Sequence, residues 1–189
     1  MVNIGDIYTF GNYHGSTEWI VLDKVGSKIL IISKECIGYQ YYRWNGTWEG
    51  SGMRKWLNNE FIKEAFNTSE QQRIVSTKLS NPATQLDGYT SGGGGENDTV
   101  DKVFFLSIEE AERYFSSNAT RAAQNTEYAS LFGGKKAIWW LRSSGDSIYT
   151  VTCVDQEGKI DKYGHWAADE LHQNGIETIR PALWIDLSI

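Results

Sequence analysis

Residues 139–143 read Trp-Trp-Leu-Arg-Ser, and residues 179–185 read Ile-Arg-Pro-Ala-Leu-Trp-Ile. Both segments are rich in aromatic and branched apolar residues, which favour strands. Each carries one arginine among apolar neighbours, Arg142 and Arg180. Burying a guanidinium is costly unless oxygens accept from its five N–H groups. We therefore expect Arg142 and Arg180 to hold loop backbones or to pair with acidic side chains. Binding of a ligand carboxylate is the alternative.

The adjacent residues Trp139 and Trp140 belong to the same predicted structural signature. Successive side chains of a strand point to opposite faces of the sheet. We expect one indole in the core and the other against helices.

Outward from this signature, the chain reads as strands at both ends and helices in the middle. The predicted strands are Gly5 to Phe10, Thr17 to Asp23, Lys28 to Ser33, Ala137 to Ser143, Tyr149 to Val154, Lys159 to Tyr163 and Ile179 to Leu187. A hairpin turn is predicted at Asp155-Gln156-Glu157-Gly158. The last strand is expected to pair with an N-terminal one, so that the two ends meet.

Two amphipathic helices are predicted between these strands. The first covers Gly52 to Phe66 with Ser51 as its N-cap. The second runs to about Ser116 and begins with a capping box formed by Ser107 and Glu110. The whole is an α+β chain with a single domain over residues 1–189. One core is expected from Trp56, Leu57, Phe61, Phe105, Tyr114, Trp140 and Trp184.

Residues 80–100 are predicted to form a long flexible surface loop. The segment contains four consecutive glycines, at 92–95, and few large apolar residues. Its acidic residues Glu96, Asp98 and Asp101 are candidate calcium ligands, because Ca²⁺ takes carboxylate oxygens. The alternative is that they are solvated loop residues or helix caps. No other cofactor is expected.

Charge and hydropathy exclude two classes of partner. The formal net charge is −6, and no run of Lys and Arg is present, so we expect no nucleic-acid binding. No apolar stretch approaches the roughly 18 residues that span a bilayer, so we expect no membrane insertion. The N-terminal residues lack the pattern of an export signal. The cytoplasm is the expected location, with a cell surface or phage particle as the alternative.

The cysteines and histidines predict no catalytic or zinc site. Cys36 and Cys153 lie far apart in sequence, outside any Cys-x-x-Cys or Cys/His ligand pattern. A disulfide between them stays open, against two free thiols in a reducing compartment. His14, His165 and His172 form no His-x-x-x-His motif and follow no evident nucleophile. We therefore expect a protein that is not an enzyme.

Three groups of residues together resemble a known family. Residues 53–59 read MRKWLNN, residues 97–99 and 104–111 read NDT and FFLSIEEA, and the signature supplies WWLRS and IRPALWI. The combination is similar, over nearly the whole chain, to a bacterial family named as domain of unknown function 6273. The W-L-R strand and the closing I-R-P-A strand also resemble proteins related to the formylglycine-generating enzyme and the variable proteins of diversity-generating retroelements. That resemblance implies a C-type-lectin-like fold, a rigid scaffold with a variable binding face.

Residues 145–178 are the predicted variable binding region. Rigid aromatic side chains mixed with small polar ones are typical of recognition surfaces. The candidate contact residues are Tyr149, Tyr163, His165, Trp166, His172, Gln173 and Asn174. The expected function is binding of a protein, peptide or glycan without turnover. The alternatives are an irregular loop that only covers the sheet, an oxidase of the formylglycine-generating type, and a structural accessory domain of a phage or surface assembly. This chain departs from the oxidases in its cysteines. Theirs lie close to one another at the active site, whereas Cys36 and Cys153 lie far apart in sequence.

Overall fold

Strands lie at both ends of the chain and helices between them, as the hydrophobic pattern predicted for an α+β chain. The computed structural model describes residues 2–42, 47–90, 95–167 and 177–189. The strands are β1 (Ile7–Asn12), β2 (Ser16–Val25), β3 (Lys28–Ser33), β4 (Ile74–Val75), β5 (Thr77–Leu79), β6 (Gln85–Leu86), β7 (Tyr89–Thr90), β8 (Thr99–Asp101), β9 (Ile138–Ser144), β10 (Thr150–Val154), β11 (Ile160–Trp166), β12 (Glu177–Thr178) and β13 (Ala182–Asp186). The helices are α1 (Gly52–Trp56), α2 (Ile62–Ala65), α3 (Thr68–Arg73), α4 (Ile108–Tyr114), α5 (Asn118–Arg121) and α6 (Glu127–Gly133).

The larger sheet joins the two ends of the chain. Its strand order is β1-β2-β3-β13-β4. Strand β13 runs antiparallel to β3, with Leu183 opposite Ile31. The predicted pairing of the last strand with an N-terminal strand is therefore confirmed.

The second sheet is built from the C-terminal third and carries the predicted binding region. Its order is β11-β10-β9-β12, with β12 parallel to β9 and the other pairs antiparallel. The predicted turn joins β10 to β11, with Gly158 N–H donating to the Asp155 carbonyl at 3.0 Å. Two smaller sheets pair β5 with β8 and β6 with β7.

The first predicted helix contains a π-helical segment, Leu57–Phe61, between α1 and α2. The Ser51 hydroxyl caps its start by accepting from the Arg54 amide, as predicted. Within the π segment, Asn58 Nδ2 donates to the Arg54 carbonyl at 3.0 Å. Asn58 Oδ1 accepts from the Lys102 amide at 2.8 Å, so this residue ties the helix to the segment before α4.

The second predicted helix, α4, has the predicted capping box of Ser107 and Glu110. It ends at Tyr114, two residues earlier than expected, because Phe115 takes an extended conformation and is 5% exposed. Burying an aromatic ring can be worth more than one further helical turn.

One hydrophobic core lies between the sheets and helices. Of the predicted core residues, Leu57, Phe61, Phe105 and Trp140 are fully buried. The other three, Trp56, Tyr114 and Trp184, are partly buried and pack against that core. No helix formed by the described residues is long and apolar enough to cross a membrane.

The segment 80–100 is anchored at both ends. Asn81 and Thr84 are buried, and Thr84 Oγ1 donates to the Ser144 carbonyl at 2.6 Å. The strands β6 and β7 form a short hairpin, and β8 pairs with β5. Residues 91–94, which include most of the glycine run, lie outside the described residues. The flexibility expected there stays a prediction.

Candidate functional site

Arg142, on β9, is held entirely by the protein. It is 3% exposed. Its Nε donates to Asn81 Oδ1 at 3.1 Å, and its Nη1 donates to the Phe105 carbonyl at 2.8 Å. Both terminal nitrogens donate to the Glu110 carboxylate, and Nη2 also donates to the Ser80 carbonyl at 3.2 Å. These contacts agree with the structural role expected for Arg142.

Arg180 is 1% exposed and is held by backbone oxygens. It donates to the carbonyls of Ser33, Lys34 and Arg121 at 3.0–3.2 Å. Its guanidinium lies 4.9 Å from the centre of the Trp139 ring, a cation–π contact. Arg180 therefore joins the end of β3 to the end of α5, a scaffold role.

The candidate contact residues that the structure describes lie on or beside the hairpin β10–β11. Tyr149, Tyr163 and Trp166 are 46%, 48% and 37% exposed. The Tyr149 and Trp166 rings stack, with centroids 5.0 Å apart. Backbone pairing continues beyond the strands, because Ala167 N–H donates to the Tyr149 carbonyl at 3.0 Å. We call Tyr149, Tyr163 and Trp166 the hairpin aromatics. His172, Gln173 and Asn174 lie outside the described residues.

His165 differs from the hairpin aromatics, because it points into a polar cluster. Its Nδ1 lies 2.6 Å from Glu177 Oε1 on β12. Its ring meets Trp140 edge-on, with centroids 6.5 Å apart. Only 29% of the side chain is exposed. Glu177 and Trp140 therefore hold the His165 ring in place, which makes His165 a poor candidate for an adaptable surface contact.

An irregularity in β11 brings Asp161 close to His165. Cys153 lies opposite Asp161, and Val151 lies opposite His165. The three residues 162–164 of β11 therefore face a single residue of β10, which makes a bulge. Gly164 has a φ of +80°, and a Cβ there would clash with the Val151 carbonyl. Asp161 Oδ1 accepts from the amides of Tyr163 and Gly164 at 3.0 and 3.2 Å, which closes the bulge.

The bulge places three metal-ligand residue types together. One ligand atom from each of Cys153, Asp161 and His165 lies within 4.8 Å of the others. Cys153 is fully buried beneath the partly exposed pair. We call these three residues and Glu177 the β10–β12 cluster. The sequence analysis expected no zinc site, and it missed this grouping because Asp161 and His165 match no standard ligand motif.

Two carboxylates, Asp161 and Glu177, lie close to the buried thiol and the imidazole of the β10–β12 cluster. Burial first, and then the nearby carboxylates Asp161 and Glu177, raise the pKa of the Cys153 thiol. The hydrogen bond with Glu177 raises the pKa of His165 above its ordinary value, although burial acts against it. Glu177 is fully buried, and its Oε2 has no hydrogen-bond partner among the described residues. An unpaired buried carboxylate oxygen carries a high desolvation cost.

The two cysteines are both buried and both free. The disulfide that the sequence left open does not form. Cys36 lies near Arg180 and Thr178, whereas Cys153 lies near Asp161 and Glu177. The two thiols therefore have surroundings of opposite charge.

Comparison with known proteins identifies the family. A family model described as "Domain of unknown function (DUF6273)" matches residues 26–187. The chain belongs to the DUF6273 family. No curated protein and no solved structure matches it. The resemblance found in the sequence is confirmed at the level of this family.

The calcium candidates of this DUF6273 domain do not converge. Asp101 is buried and accepts from Arg54 Nε at 2.6 Å. Asp98 pairs with Lys78 at 2.9 Å, and Glu96 accepts from the Glu49 amide at 3.0 Å. In this structure each of the three carboxylates has a different partner, and calcium binding at these residues stays a prediction. Acidic loop residues serve here as anchors for backbone amides and basic side chains.

A second aromatic surface of the DUF6273 domain surrounds α6, and the sequence analysis did not single it out. The His14 and Tyr128 rings stack at 3.6 Å, and Tyr39 stacks on Phe132 at 5.2 Å. Leu131 beside them is 78% exposed. We call this the α6 patch. Its members come from distant parts of the sequence, so no local pattern could have predicted it.

Proposed function

We propose that this DUF6273 domain is a binding module without turnover, and that the hairpin aromatics contact its ligand. The observation that carries this proposal is the joint exposure of Tyr149, Tyr163 and Trp166 on one hairpin. Large rings with few rotatable bonds add contact area at a small entropic cost. The ligand class is a protein, a peptide or a glycan.

The strand β9 beneath the hairpin supports the proposal. Trp139 and Trp140 are fully buried, and every nitrogen of the Arg142 guanidinium donates to the protein. Such a frame allows hairpin side chains to change while the backbone stays fixed. Tyr163 also lines an open cavity of about 390 Å³ together with Asp155, Lys159 and Asp161. The hairpin therefore offers a concave region, lined by both apolar and charged side chains, next to exposed rings.

The finer proposal is a C-type-lectin-like scaffold of the kind used by the variable proteins of diversity-generating retroelements. It is supported by the closing strand β13, which pairs with the N-terminal strand β3, and by the exposed hairpin β10–β11 of the second sheet. The analogy concerns the scaffold and leaves the ligand to experiment. The oxidase alternative needs two cysteines acting together, and Cys36 and Cys153 are here separate buried thiols.

Binding screens with matched variants test the proposal. The wild-type domain and the Tyr163→Ala/Trp166→Ala double variant are screened on a glycan array and a random-peptide display library. The control is Leu131→Ser/Phe132→Ala in the α6 patch, since both residues are also exposed. We expect ligands from one class that bind wild type and control but lose at least about tenfold in affinity, or roughly 1.4 kcal/mol, for the hairpin variant.

Two outcomes would contradict this proposal. In the first, ligands bind the wild type and the hairpin variant equally and are lost only in the α6 variant, which moves the binding face to α6. In the second, a folded wild-type domain binds nothing in either library, which favours the structural accessory role. Circular dichroism of each variant establishes that folding is retained.

A further inference from the structure

The β10–β12 cluster has the composition of a transition-metal site. Zinc sites in proteins use thiolate sulfur, imidazole nitrogen and carboxylate oxygen in tetrahedral arrangements. Cys153, His165 and Asp161 supply one ligand of each kind within 4.8 Å of one another. From this geometry we propose that the three residues bind one zinc-class divalent ion, with Glu177 as a positioning residue.

The distances suit a small tetrahedral ion after slight contraction. In a tetrahedral zinc site, ligand atoms lie roughly 3.4–3.6 Å apart, given bonds of about 2.0–2.3 Å. His165 Nε2 already lies 3.7 Å from Asp161 Oδ2. The bulge at Gly164 holds this pair, and the register of β10 with β11 holds Cys153 opposite Asp161. The backbone therefore preorganises all three ligands.

Glu177 gives independent support, because it occupies the position of an outer-shell carboxylate. Ligating histidines usually donate their other ring N–H to a carboxylate or carbonyl, which fixes the tautomer and the ring orientation. Here His165 Nδ1 lies 2.6 Å from Glu177 Oε1, which leaves Nε2 for the ion. The other oxygen of this fully buried carboxylate has no partner among the described residues. A nearby cation would compensate for that buried charge.

Among the residues that the structure describes, no lysine or arginine pairs with an acidic residue of the β10–β12 cluster. Within the described ranges, His165 is the only basic side chain that pairs with Asp161 or Glu177. The neighbouring Lys162 instead pairs with Glu112 at 3.3 Å. Arg142 and Arg180 show how this fold compensates a buried charge when it does so internally. In the proposed site, an external divalent ion supplies the positive charge beside Asp161 and Glu177.

The ligand set selects the class of ion. A thiolate and an imidazole favour zinc-class transition metals, whereas calcium and magnesium take oxygen ligands. Binding forms the metal–sulfur bond as the Cys153 thiol proton leaves to solvent. Asp161 and His165 keep 38% and 29% of their side chains exposed, so an ion could reach the site from solvent. The site goes beyond the proposed binding function and does not depend on it.

Cobalt titration tests the site directly. The full chain, without any tag, is reduced, freed of metal with a chelator and titrated with Co²⁺ alone. We expect a thiolate-to-cobalt charge-transfer band that saturates at one ion per chain and disappears when Zn²⁺ is added. Cys153→Ser should abolish the band. Cys36→Ser is the matched control, because Cys36 is equally buried and free, and it should keep the band.

Two further variants keep the proposal falsifiable if Cys153→Ser fails to fold. His165→Gln, at a partly exposed position, should also abolish the stoichiometric band. Glu177→Gln should keep the band but weaken cobalt affinity about 10–100-fold, as expected for an outer-shell residue. The Tyr163→Ala/Trp166→Ala variant should bind cobalt like wild type, which separates this test from that of ligand binding.

The proposal is overturned if folded wild-type protein shows no charge-transfer band with excess Co²⁺. It is equally overturned if the band survives in folded Cys153→Ser or His165→Gln, or is lost in folded Cys36→Ser. Circular dichroism of the metal-free proteins distinguishes loss of the site from loss of the fold.

Discussion

Two buried ionisable side chains, Glu177 and Arg180, lie three residues apart, and the protein satisfies their hydrogen-bonding atoms to different extents. Arg180 donates to three carbonyls and lies against Trp139. Glu177, three residues earlier, has one oxygen on His165 and the other without a partner among the described residues. A buried cysteine lies near each of these two side chains, Cys36 near Arg180 and Cys153 near Glu177.

This difference between Arg180 and Glu177 distinguishes a residue that supports the fold from one that belongs to a candidate site. Buried charges in a scaffold are compensated by the protein itself, because an unpaired one destabilises the fold. A buried polar atom without a partner needs a specific explanation, and an ion that completes its contacts is one such explanation. Arg180 therefore belongs to the frame of the fold, and Glu177 belongs to the proposed metal site.

The largest effect is expected from removing the Arg180 guanidinium. Arg180→Met leaves the carbonyls of Ser33, Lys34 and Arg121 without their donors. At about 1–3 kcal/mol for each unsatisfied buried group, the free energy of unfolding should fall by at least about 3 kcal/mol. Urea denaturation measures the loss. The control Arg113→Met removes a largely exposed guanidinium and should cost less than about 0.5 kcal/mol. Equal losses of stability in Arg180→Met and Arg113→Met would show that the Arg180 guanidinium does not support the fold.

The bulge that forms the β10–β12 cluster can be broken at Gly164. Gly88 is a matched control, because its φ is +86° and a Cβ there meets nothing within 4 Å, whereas at Gly164 a Cβ meets the Val151 carbonyl. Gly88→Ala should cost roughly 1–2 kcal/mol from its backbone conformation alone. Gly164→Ala should cost clearly more in urea denaturation and should also abolish the cobalt band. Equal stability of the Gly88→Ala and Gly164→Ala variants, or an unchanged cobalt band in Gly164→Ala, would contradict the role of the bulge.

The Cys36 thiol predicts a loss of stability at alkaline pH. Burial raises its pKa from 9.0 to about 11, although Arg180 opposes the shift. A raised folded-state pKa gives stability that is complete below the unfolded value of 9.0 and is lost as pH rises through about 11. At pH 10 the lost contribution is about 1 kcal/mol. When the pH is raised from 8 to 10, the free energy of unfolding should therefore fall by about 1 kcal/mol less in Cys36→Ser than in the wild type. Identical losses would contradict the burial of this thiol.

The smallest effect on stability is expected on the hairpin. Tyr163 is 48% exposed, so Tyr163→Ser should change the free energy of unfolding by less than about 0.5 kcal/mol. Leu131→Ser in the α6 patch provides the comparison. A loss above about 2 kcal/mol at Tyr163 would show that its ring supports the fold, and it would then be a poor choice for a variable contact.

The sequence predicted the frame because its signals are local. The Ser107–Glu110 capping box marked the start of α4, and apolar runs marked the strands of both sheets. The β10–β12 cluster was missed because four residues of a regular strand span about 13 Å, which would keep Asp161 and His165 apart. The bulge removes that separation. Gly164, which directly follows the predicted strand Lys159 to Tyr163, was the one local sign of it.

Other features depend on contacts between distant segments. Glu177 meets His165 only because β12 joins the sheet beside β9, and nothing in the sequence around Glu177 indicates that neighbour. The separation of Glu96, Asp98 and Asp101 likewise follows from Arg54, Lys78 and Glu49, which lie far away in sequence. Spacing alone suggested a shared ion.

Anomalous diffraction at the zinc absorption edge tests most directly whether the incomplete cluster is a site. Crystals of the metal-free wild-type domain, soaked briefly in Zn²⁺, should show one strong anomalous peak bonded to Cys153 Sγ, the Asp161 carboxylate and His165 Nε2, with Glu177 on His165 Nδ1. No peak at the β10–β12 cluster, together with peaks only at surface carboxylates or histidines elsewhere, would contradict the claim that Glu177 marks a place completed from outside.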